Sequence, residues 1–423
     1  MIEALNRIII GDVGSGKTIV AFLIALTYLF GLKDTGQVAM MAPTEVLAFQ
    51  HYKKLLELTN LPQNDWVNTV YLSGKNILLN NEKITKGKLQ KWLINEQTKQ
   101  VAEGGILKIF WVGTHAIYWS DMLNLDLAMV DEQHRFGVRD RKKMTDNDQV
   151  TVPHFLSFTA TPIPRTLALT MYRNLKPHFL KTLASRKVIQ TSISNFNELE
   201  SYTLSQIRSQ ISDGKKVYIV CAKVEETDKD ELWSTTKAKK WVEKHFPDQA
   251  LVVHGKLADK KDILQEFKDS KTKNILVATT VIEVGVDVGM ATLVIIFNAE
   301  RFGLSALHQI RGRVGRNDFD NNYCILVSDF RYSRRLKYLC EFSDGFTLAE
   351  KDLELRGSGD MIGVSQSGFG DDIESIMGLH PKLYEQMSSL VDTLDIQNLE
   401  KLKKELPRLA NYLNIQASKI WEE

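Results

Sequence analysis

The sequence has 423 residues, of which 43% are hydrophobic and 25% charged, as expected for a globular protein with two or three domains. Its net charge of +2 is too small to predict nucleic-acid binding from bulk electrostatics, so local clusters would have to hold such a partner. Three cysteines without C-x-x-C spacing argue against a disulfide framework or a zinc site. The sequence has no signal-peptide pattern and no apolar run long enough to span a membrane, which predicts a cytoplasmic protein without membrane contact.

A glycine-rich loop opens the chain. An apolar strand at residues 8–10 leads into the pattern G-x-x-x-x-G-K-T and then into an apolar helix at residues 19–30. Glycines let backbone N–H groups approach phosphate oxygens, since no Cβ obstructs them. Lys17 is expected to reach the β- and γ-phosphates and Thr18 to ligate Mg²⁺. The predicted nucleotide-binding residues are Gly11, Asp12, Val13, Gly14, Ser15, Gly16, Lys17 and Thr18.

Apolar strands then alternate with helical segments, a rhythm that predicts a parallel sheet. Helices are predicted at residues 45–58 and 166–175. Ligands bind at the carboxyl ends of such strands, so the polar residues just beyond each strand are candidates for function. The predicted strands are residues 38–42, 67–72, 107–112, 127–130 and 155–158.

Two adjacent carboxylates, Asp131 and Glu132, follow the strand at residues 127–130. Burying such charge requires compensation, and the upstream phosphate loop indicates Mg²⁺ as the compensating ion. We predict that Asp131 and Thr18 hold the metal, while Glu132 orients and deprotonates the attacking water.

Small hydroxyl residues follow three other strands of this half. At two of these strand ends a helix is expected to begin, and the two helix starts could bind successive phosphates of a nucleic-acid strand. Thr44 could equally be a simple helix cap. The third, stiffened by prolines, suits a relay from the nucleotide or a simple turn. The residues are Pro43, Thr44, Gly113, Thr114, Thr159 and Thr161.

A second α/β series follows a predicted linker at residues 176–190, and it has no phosphate loop of its own. One nucleotide is therefore expected between the two halves. One stretch that fits this interface contains Thr279, Thr280, Gly285 and Asp287, and another contains Gln309, Arg313 and Arg316. Strands are predicted at residues 217–220, 250–253, 274–278, 293–297 and 323–327.

These motifs resemble, in residue and order, those of superfamily 2 helicases and translocases. Residues 344–368 are similar to the helical hairpin and loop of the bacterial RecG family and of the transcription-repair coupling factor, and the motifs over residues 5–368 favour the RecG family. The resemblance implies an α/β fold with two RecA-like parallel-sheet motor domains, residues 1–180 and 181–340. A helical hairpin and C-terminal helices follow in residues 341–423.

The resemblance also implies an activity. A monomeric helicase would use Mg²⁺ and ATP to move on double-stranded and branched DNA, such as forks and Holliday junctions, in repair and recombination. Arg313 and Arg316 would act as arginine fingers, with Gln309 beside the attacked phosphate. Asp352, Arg356 and Gln366 would couple hydrolysis to translocation.

Two further expectations follow from the family. A wedge domain and an adenine-contacting segment would lie ahead of Met1, so the chain is expected to be a truncated product or a fragment. An RNA helicase and a weakly active motor remnant stay open as alternatives.

Overall fold

The computed structural model describes residues 5–32, 35–59, 67–74, 76–103, 106–114, 124–132, 153–160, 175–180, 188–224, 232–255, 257, 260–279, 290–316, 319, 321–330 and 333–356. Most of the helix predicted at residues 166–175, and the helical segment predicted beyond residue 369, fall outside this set. Within it, no helix has both the length and the apolar character needed to cross a membrane.

The first half of the chain forms a mainly parallel sheet with helices packed against it. In chain order, its elements are β1 (Asn6–Gly11), α1 (Lys17–Gly31), β2 (Thr35–Met41), α2 (Glu45–Thr59), β3 (Asn68–Leu72), β4 (Ile77–Leu79), β5 (Glu82–Ile84), α3 (Lys86–Glu103), β6 (Leu107–Gly113), β7 (Leu127–Asp131), β8 (His154–Thr159) and β9 (Lys176–Leu180). The described strands are ordered β5-β4-β3-β6-β2-β7-β8-β1-β9, and the β4–β5 hairpin is antiparallel. We call this sheet and its helices the first lobe.

Both faces of the first sheet are buried, because apolar residues occupy successive positions in its central strands. Ile8 and Ile10 pack on one side with Trp111, whereas Ile9 packs on the other with Phe22. Continuous apolar strands of this kind are typical of a parallel sheet covered by helices. The predicted polar site residues Thr44, Asp131 and Thr159 lie at or just beyond the carboxyl ends of β2, β7 and β8, which are neighbours in the sheet.

The second half forms another parallel sheet. Its elements are β10 (Ile189–Ser194), α4 (Leu204–Ser212), β11 (Lys216–Val220), α5 (Thr235–His245), β12 (Ala250–Val253), α6 (Lys260–Asp269), β13 (Ile275–Ala278), β14 (Ala291–Phe297), α7 (Leu304–Arg311) and β15 (Asn322–Val327). The described strands are ordered β10-β15-β14-β11-β13-β12. We call this sheet and its helices the second lobe. The expectation of two parallel-sheet, RecA-like halves is confirmed.

The predicted linker at residues 176–190 is wrong at both ends. β9 pairs in parallel with β1 at the edge of the first sheet, and β10 pairs in parallel with β15 at the edge of the second. Edge strands bury less side chain than central strands, so their apolar pattern is weak: β10 has one fully buried residue, Ser194. The chain therefore contributes an edge strand to each sheet where it passes from one to the other.

After the second sheet come α8 (Arg334–Glu341) and α9 (Gly345–Arg356), which we call the hairpin. The resemblance implied a helical hairpin and loop at residues 344–368; α9 lies in this stretch, α8 precedes it, and residues 357–368 are outside the described part of the chain. The spacing of Thr347 and Glu350 in the sequence predicts a capping box with Thr347 as the cap, but the structure places the cap elsewhere. Thr347 donates from both its backbone nitrogen and its hydroxyl to Asp344 Oδ2, at 2.8 Å each. Asp344 is therefore the N-cap of α9, and Thr347 lies inside the first turn of the helix. The negative charge of Asp344 is also stabilised by the positive end of the helix.

We predict that Ile109→Ala lowers the free energy of unfolding by about 2–5 kcal/mol. Ile109 is fully buried in β6, so the substitution removes apolar contacts and leaves a cavity. Ile94→Ala is the matched control, because Ile94 is 62% exposed on α3. Its effect should stay within about 0.5 kcal/mol. Equal losses from the two variants in urea denaturation would contradict the described core.

Candidate nucleotide-binding site

The loop after β1 has the backbone shape of a phosphate cradle. Gly14 and Gly16 adopt φ values of +74° and +84°, in the left-handed region that strongly favours glycine. Gly16 is also the N-cap of α1, and neither a side-chain cap nor an acidic first-turn residue occupies that helix start. The first N–H groups of a helix have no partner within the helix, so this end is suited to an anion.

Gly11 keeps the base of the cradle narrow. A Cβ at this position would come within 2.4 Å of Ser15 Oγ and 3.1 Å of Leu180 Cβ. Ser15 Oγ is buried and makes no hydrogen bond with the described residues. A buried hydroxyl facing this loop fits a phosphate oxygen as its partner. The described residues of the cradle are therefore suited to hold a nucleotide.

Lys17 is folded into the cradle and is only 9% exposed. Its ammonium donates to the carbonyl oxygens of Gly11, at 2.8 Å, and Asp12, at 2.7 Å. Burial lowers the pKa of Lys17 from its ordinary value of 10.5, and the charge of Arg316 lowers it further. The carboxylates of Glu132, Asp131 and Asp12 act in the opposite direction and favour the charged ammonium. The cradle thus combines a buried cation with three nearby acids.

Asp131, at the end of β7, has a protein partner that the sequence did not indicate. His51 Nε2 lies 2.9 Å from Asp131 Oδ2, and both side chains are almost completely buried. Phe22 packs edge-on against the His51 ring, which fixes its position. The signal for His51 was a polar residue among the buried positions of α2, between Ala48 and Leu55.

Glu132 directly follows β7, and its side chain is hydrogen-bonded to the end of β8. Its φ of +53° is unusual for a residue with a side chain and costs about 1–2 kcal/mol. Its carboxylate accepts hydrogen bonds from the backbone N–H of Ala160, at 3.2 Å and 3.3 Å, and from the hydroxyl of Thr159, at 3.4 Å. The structure therefore joins the acidic pair to the hydroxyl segment that the sequence predicted separately.

The second lobe meets the cradle at Asp12. His308 Nε2 of α7 lies 2.5 Å from Asp12 Oδ1, and the backbone N–H of Gly345, at the start of α9, donates to Asp12 Oδ2 at 3.0 Å. Nearby, Phe346 packs against Phe179 of β9. The sequence placed Asp12 among the nucleotide-binding residues, but its carboxylate is engaged by the second lobe and the hairpin. No role was predicted for His308.

The predicted arginine-rich stretch also lies at this contact. Arg316 is close enough for its charge to influence Lys17, while its own Nε donates to the carbonyl of Gly312 at 2.9 Å. Gln309 is buried on α7, and Arg313 is half-buried in the following turn. Arg311, which was not predicted, donates to the carbonyl oxygens of Leu339, Phe342 and Ser343 in the hairpin.

The remaining predicted residues lie at or just beyond the carboxyl ends of strands in the two sheets. Thr44 follows β2 and caps α2 by accepting from Leu47 N at 3.3 Å, and its neighbour Pro43 is half-buried. Gly113 ends β6 beside them, where its carbonyl accepts from Ala42 N at 2.9 Å, and Thr114 follows. In the second lobe, Thr279 is buried directly after β13.

In the hairpin, Asp352 is buried and Arg356 ends α9. Other predicted residues fall outside the described part of the chain, namely Thr161, Thr280, Gly285, Asp287 and Gln366.

Comparison with known proteins adds evidence on the family. The model described as DEAD/DEAH box helicase matches residues 1–170, and the model described as helicase conserved C-terminal domain matches residues 196–318. The RecG helicase of Aquifex aeolicus is 40% identical over 95% of this chain and 50% of its own length. The RecG helicase of Synechocystis is 42% identical over 87% of this chain and 42% of its own length. The chain thus spans about half the length of these relatives.

Solved structures agree. A RecG structure bound to a three-way DNA junction has a TM-score of 0.65 and 32% identity, and the match covers 84% of this chain and 45% of that chain. The structure of Mss116p bound to single-stranded RNA has a TM-score of 0.54 at 16% identity, over 81% of this chain and 70% of that chain. The second likeness concerns the fold alone.

The RecG relatives match most of this chain at 40% and 42% identity, and the RecG structure shares its fold. The chain therefore contains the two helicase domains and, over most of its length, is similar to RecG-type superfamily 2 helicases.

Proposed function

We propose that this chain is an ATP-dependent motor that moves along double-stranded and branched DNA, as expected for replication-fork rescue, recombination and repair. The observation that carries the proposal is the contact of the second lobe with the cradle: Arg316 lies near Lys17, and His308 reaches Asp12. A nucleotide held by the cradle would therefore influence the position of both lobes. Relatives named as ATP-dependent DNA helicases, one of them bound to a DNA junction, support DNA as the partner.

The residues of the cradle, Gly11 to Thr18, would hold the phosphates of ATP. Thr18 and Asp131 would hold Mg²⁺, which when bound neutralises the charge of the phosphate oxygens. The described residues contain no cluster of three or more His, Cys, Asp or Glu side chains able to bind a metal by themselves. A Mg²⁺ site completed by phosphate oxygens and water needs only one or two protein ligands.

Glu132 is proposed as the base that takes the proton from the attacking water. Its two oxygens are oriented by the N–H of Ala160 and the hydroxyl of Thr159, so the carboxylate is held in one position. Arg313 and Arg316 would supply positive charge to the transferred phosphoryl group, with Gln309 beside it. An arginine placed in this way contributes about 10³–10⁵ in rate.

DNA would lie across the strand ends that carry Thr44 and Thr114. These residues follow the neighbouring strands β2 and β6, and a helix begins directly after Thr44. Helix starts and small hydroxyls favour contacts to backbone phosphates, which position a nucleic acid without reading its sequence. The hairpin would convert movement of the lobes into movement along the duplex.

ATP hydrolysis by the chain should be measured without nucleic acid and with duplex DNA, a three-way DNA junction or single-stranded RNA. We expect stimulation by both DNA substrates and little by RNA. Stimulation by RNA alone would instead support an RNA helicase and would contradict the proposal. Absence of hydrolysis under all conditions would support an inactive motor remnant.

Lys17→Ala and Glu132→Gln should both abolish most turnover but should differ in ATP binding. Loss of the ammonium removes a charged contact to phosphate and should weaken ATP binding by about tenfold or more. Glu132→Gln preserves the shape of the side chain and removes the base, so turnover should fall by about 10²–10⁴-fold while ATP stays bound. Filter binding and hydrolysis assays separate the two effects.

The matched controls are Lys54→Ala and Glu57→Gln, at exposed positions of α2. Neither control should change binding or turnover. An equal loss of ATP binding in the Lys17 and Glu132 variants would contradict the assigned roles.

Arg356→Ala should uncouple the motor, because this residue ends α9 and belongs to the hairpin. DNA-stimulated ATP hydrolysis should survive, whereas displacement of a triplex-forming strand from duplex DNA should fail. Lys351→Ala on the same helix is the control, since Lys351 pairs with Glu354 at the surface. If Arg356→Ala lowers hydrolysis as far as Lys17→Ala does, the hairpin supports the ATP site instead of coupling it to DNA.

A further inference from the structure

The carboxylate of Asp12 joins three parts of the molecule that are far apart in sequence. Its oxygens accept from Val13 N within the cradle, from His308 of the second lobe, and from Gly345 N at the start of α9. Asp12 is 1% exposed and His308 is 0% exposed, so water does not compete for these bonds. A buried carboxylate is retained only where such partners compensate its charge.

The hydrogen-bond pattern assigns the state of His308. Arg311 Nη2 lies 2.9 Å from His308 Nδ1, and a guanidinium can only donate. Nδ1 must therefore be the acceptor, which places the ring proton on Nε2, where it is donated to Asp12. A neutral imidazole thus links the negative charge of Asp12 to the positive charge of Arg311.

The bond to Gly345 has a clear physical reason. Gly345 is the first residue of α9, a helix of 12 residues, and its N–H belongs to the helix start that has no partner within the helix. The positive end of the helix favours a nearby carboxylate. Asp344, the N-cap of α9, accepts a hydrogen bond from Thr347 N, whereas Asp12 accepts one from Gly345 N although the two residues are 333 positions apart in the sequence.

Asp12 is also directly connected to the phosphate-binding lysine. Its backbone carbonyl accepts from Lys17 Nζ at 2.7 Å, while its side chain holds the hairpin. A movement of the cradle backbone at Asp12 would therefore change the position of the α9 start. Arg313 and Arg316 follow α7, the helix that carries His308. The contact between Asp12 and His308 therefore also affects the position of these two arginines.

We propose that Asp12 is a positioning residue: its carboxylate anchors the second lobe and the hairpin to the cradle, and thereby places Arg313 and Arg316 over the site. The catalytic part of this inference rests on the proposed ATPase function. The anchoring part does not, because its contacts are all between residues of the chain itself.

Amide hydrogen exchange of the nucleotide-free chain tests the anchor. Asp12→Asn replaces one acceptor oxygen by an NH₂ group, so the side chain can no longer accept from both His308 and Gly345. The exchange rate of the Gly345 amide should rise by about tenfold, which corresponds to loss of one buried charged hydrogen bond. An unchanged rate would overturn the anchor whether or not the chain hydrolyses ATP.

Kinetics tests the positioning role. For Asp12→Asn, kcat of DNA-stimulated hydrolysis should fall by about tenfold or more, while KM for ATP stays within about twofold. If Asp12 only braces its own loop through Val13, KM should rise and kcat should hold, and the proposal is wrong. Asp344→Asn is the matched control, because it makes the same change at the same helix end without touching the cradle.

A double-mutant cycle separates this contact from general destabilisation. His308→Ala breaks the same bond from the second lobe, so the double variant with Asp12→Asn should be no slower than the slower single variant. Additive losses would show that the residues act independently and would overturn the proposal. If Asp12→Asn fails to fold, His308→Gln provides the exchange test, since its amide can still donate to Asp12 and should preserve Gly345 protection.

Discussion

Charged side chains are buried where the two lobes meet, and this burial constrains the rest of the structure. Lys17, Asp12 and Asp131 are each less than a tenth exposed. Each has a specific partner, respectively the carbonyls of the cradle, His308 with Gly345, and His51. Removing one member of a buried charged pair typically costs about 3–5 kcal/mol. Of these contacts, those of Asp12 join the cradle to the second lobe and the hairpin, so these parts can separate only if other groups, such as water or a ligand, replace His308 and Gly345.

The parallel sheets explain why the charges gather at this place. Apolar side chains cover both faces of the central strands, so polar groups occur where strands end. Asp131 ends β7 and Thr159 ends β8, and the two strands are neighbours. Glu132 follows Asp131 with a left-handed backbone conformation, and its carboxylate accepts a hydrogen bond from Ala160 N, directly after β8. The local strain is offset by hydrogen bonds that orient the carboxylate.

Much of the fold could be predicted because its strongest signals are local. The apolar runs at β1, β7, β11 and β14 all became central strands, since burial on both faces requires continuous apolar sequence. The edge strands β9 and β10 were mistaken for a linker, because an edge strand mixes exposed and half-buried residues. The cap of α9 was misplaced for a related reason: Asp344 and Thr347 both suit a helix start, and only the position of the first turn distinguishes them.

The sequence by itself determined the phosphate cradle, since Gly11, Gly14, Gly16 and Lys17 act within one loop, and it determined which strand ends carry polar residues. Only the tertiary structure decided the partners of those residues. His51 and Asp131 are 80 positions apart, Asp12 and His308 are 296 apart, and Asp12 and Gly345 are 333 apart. No local pattern relates residues at such separations, because their distance depends on how helices pack on the sheets and how one lobe meets the other.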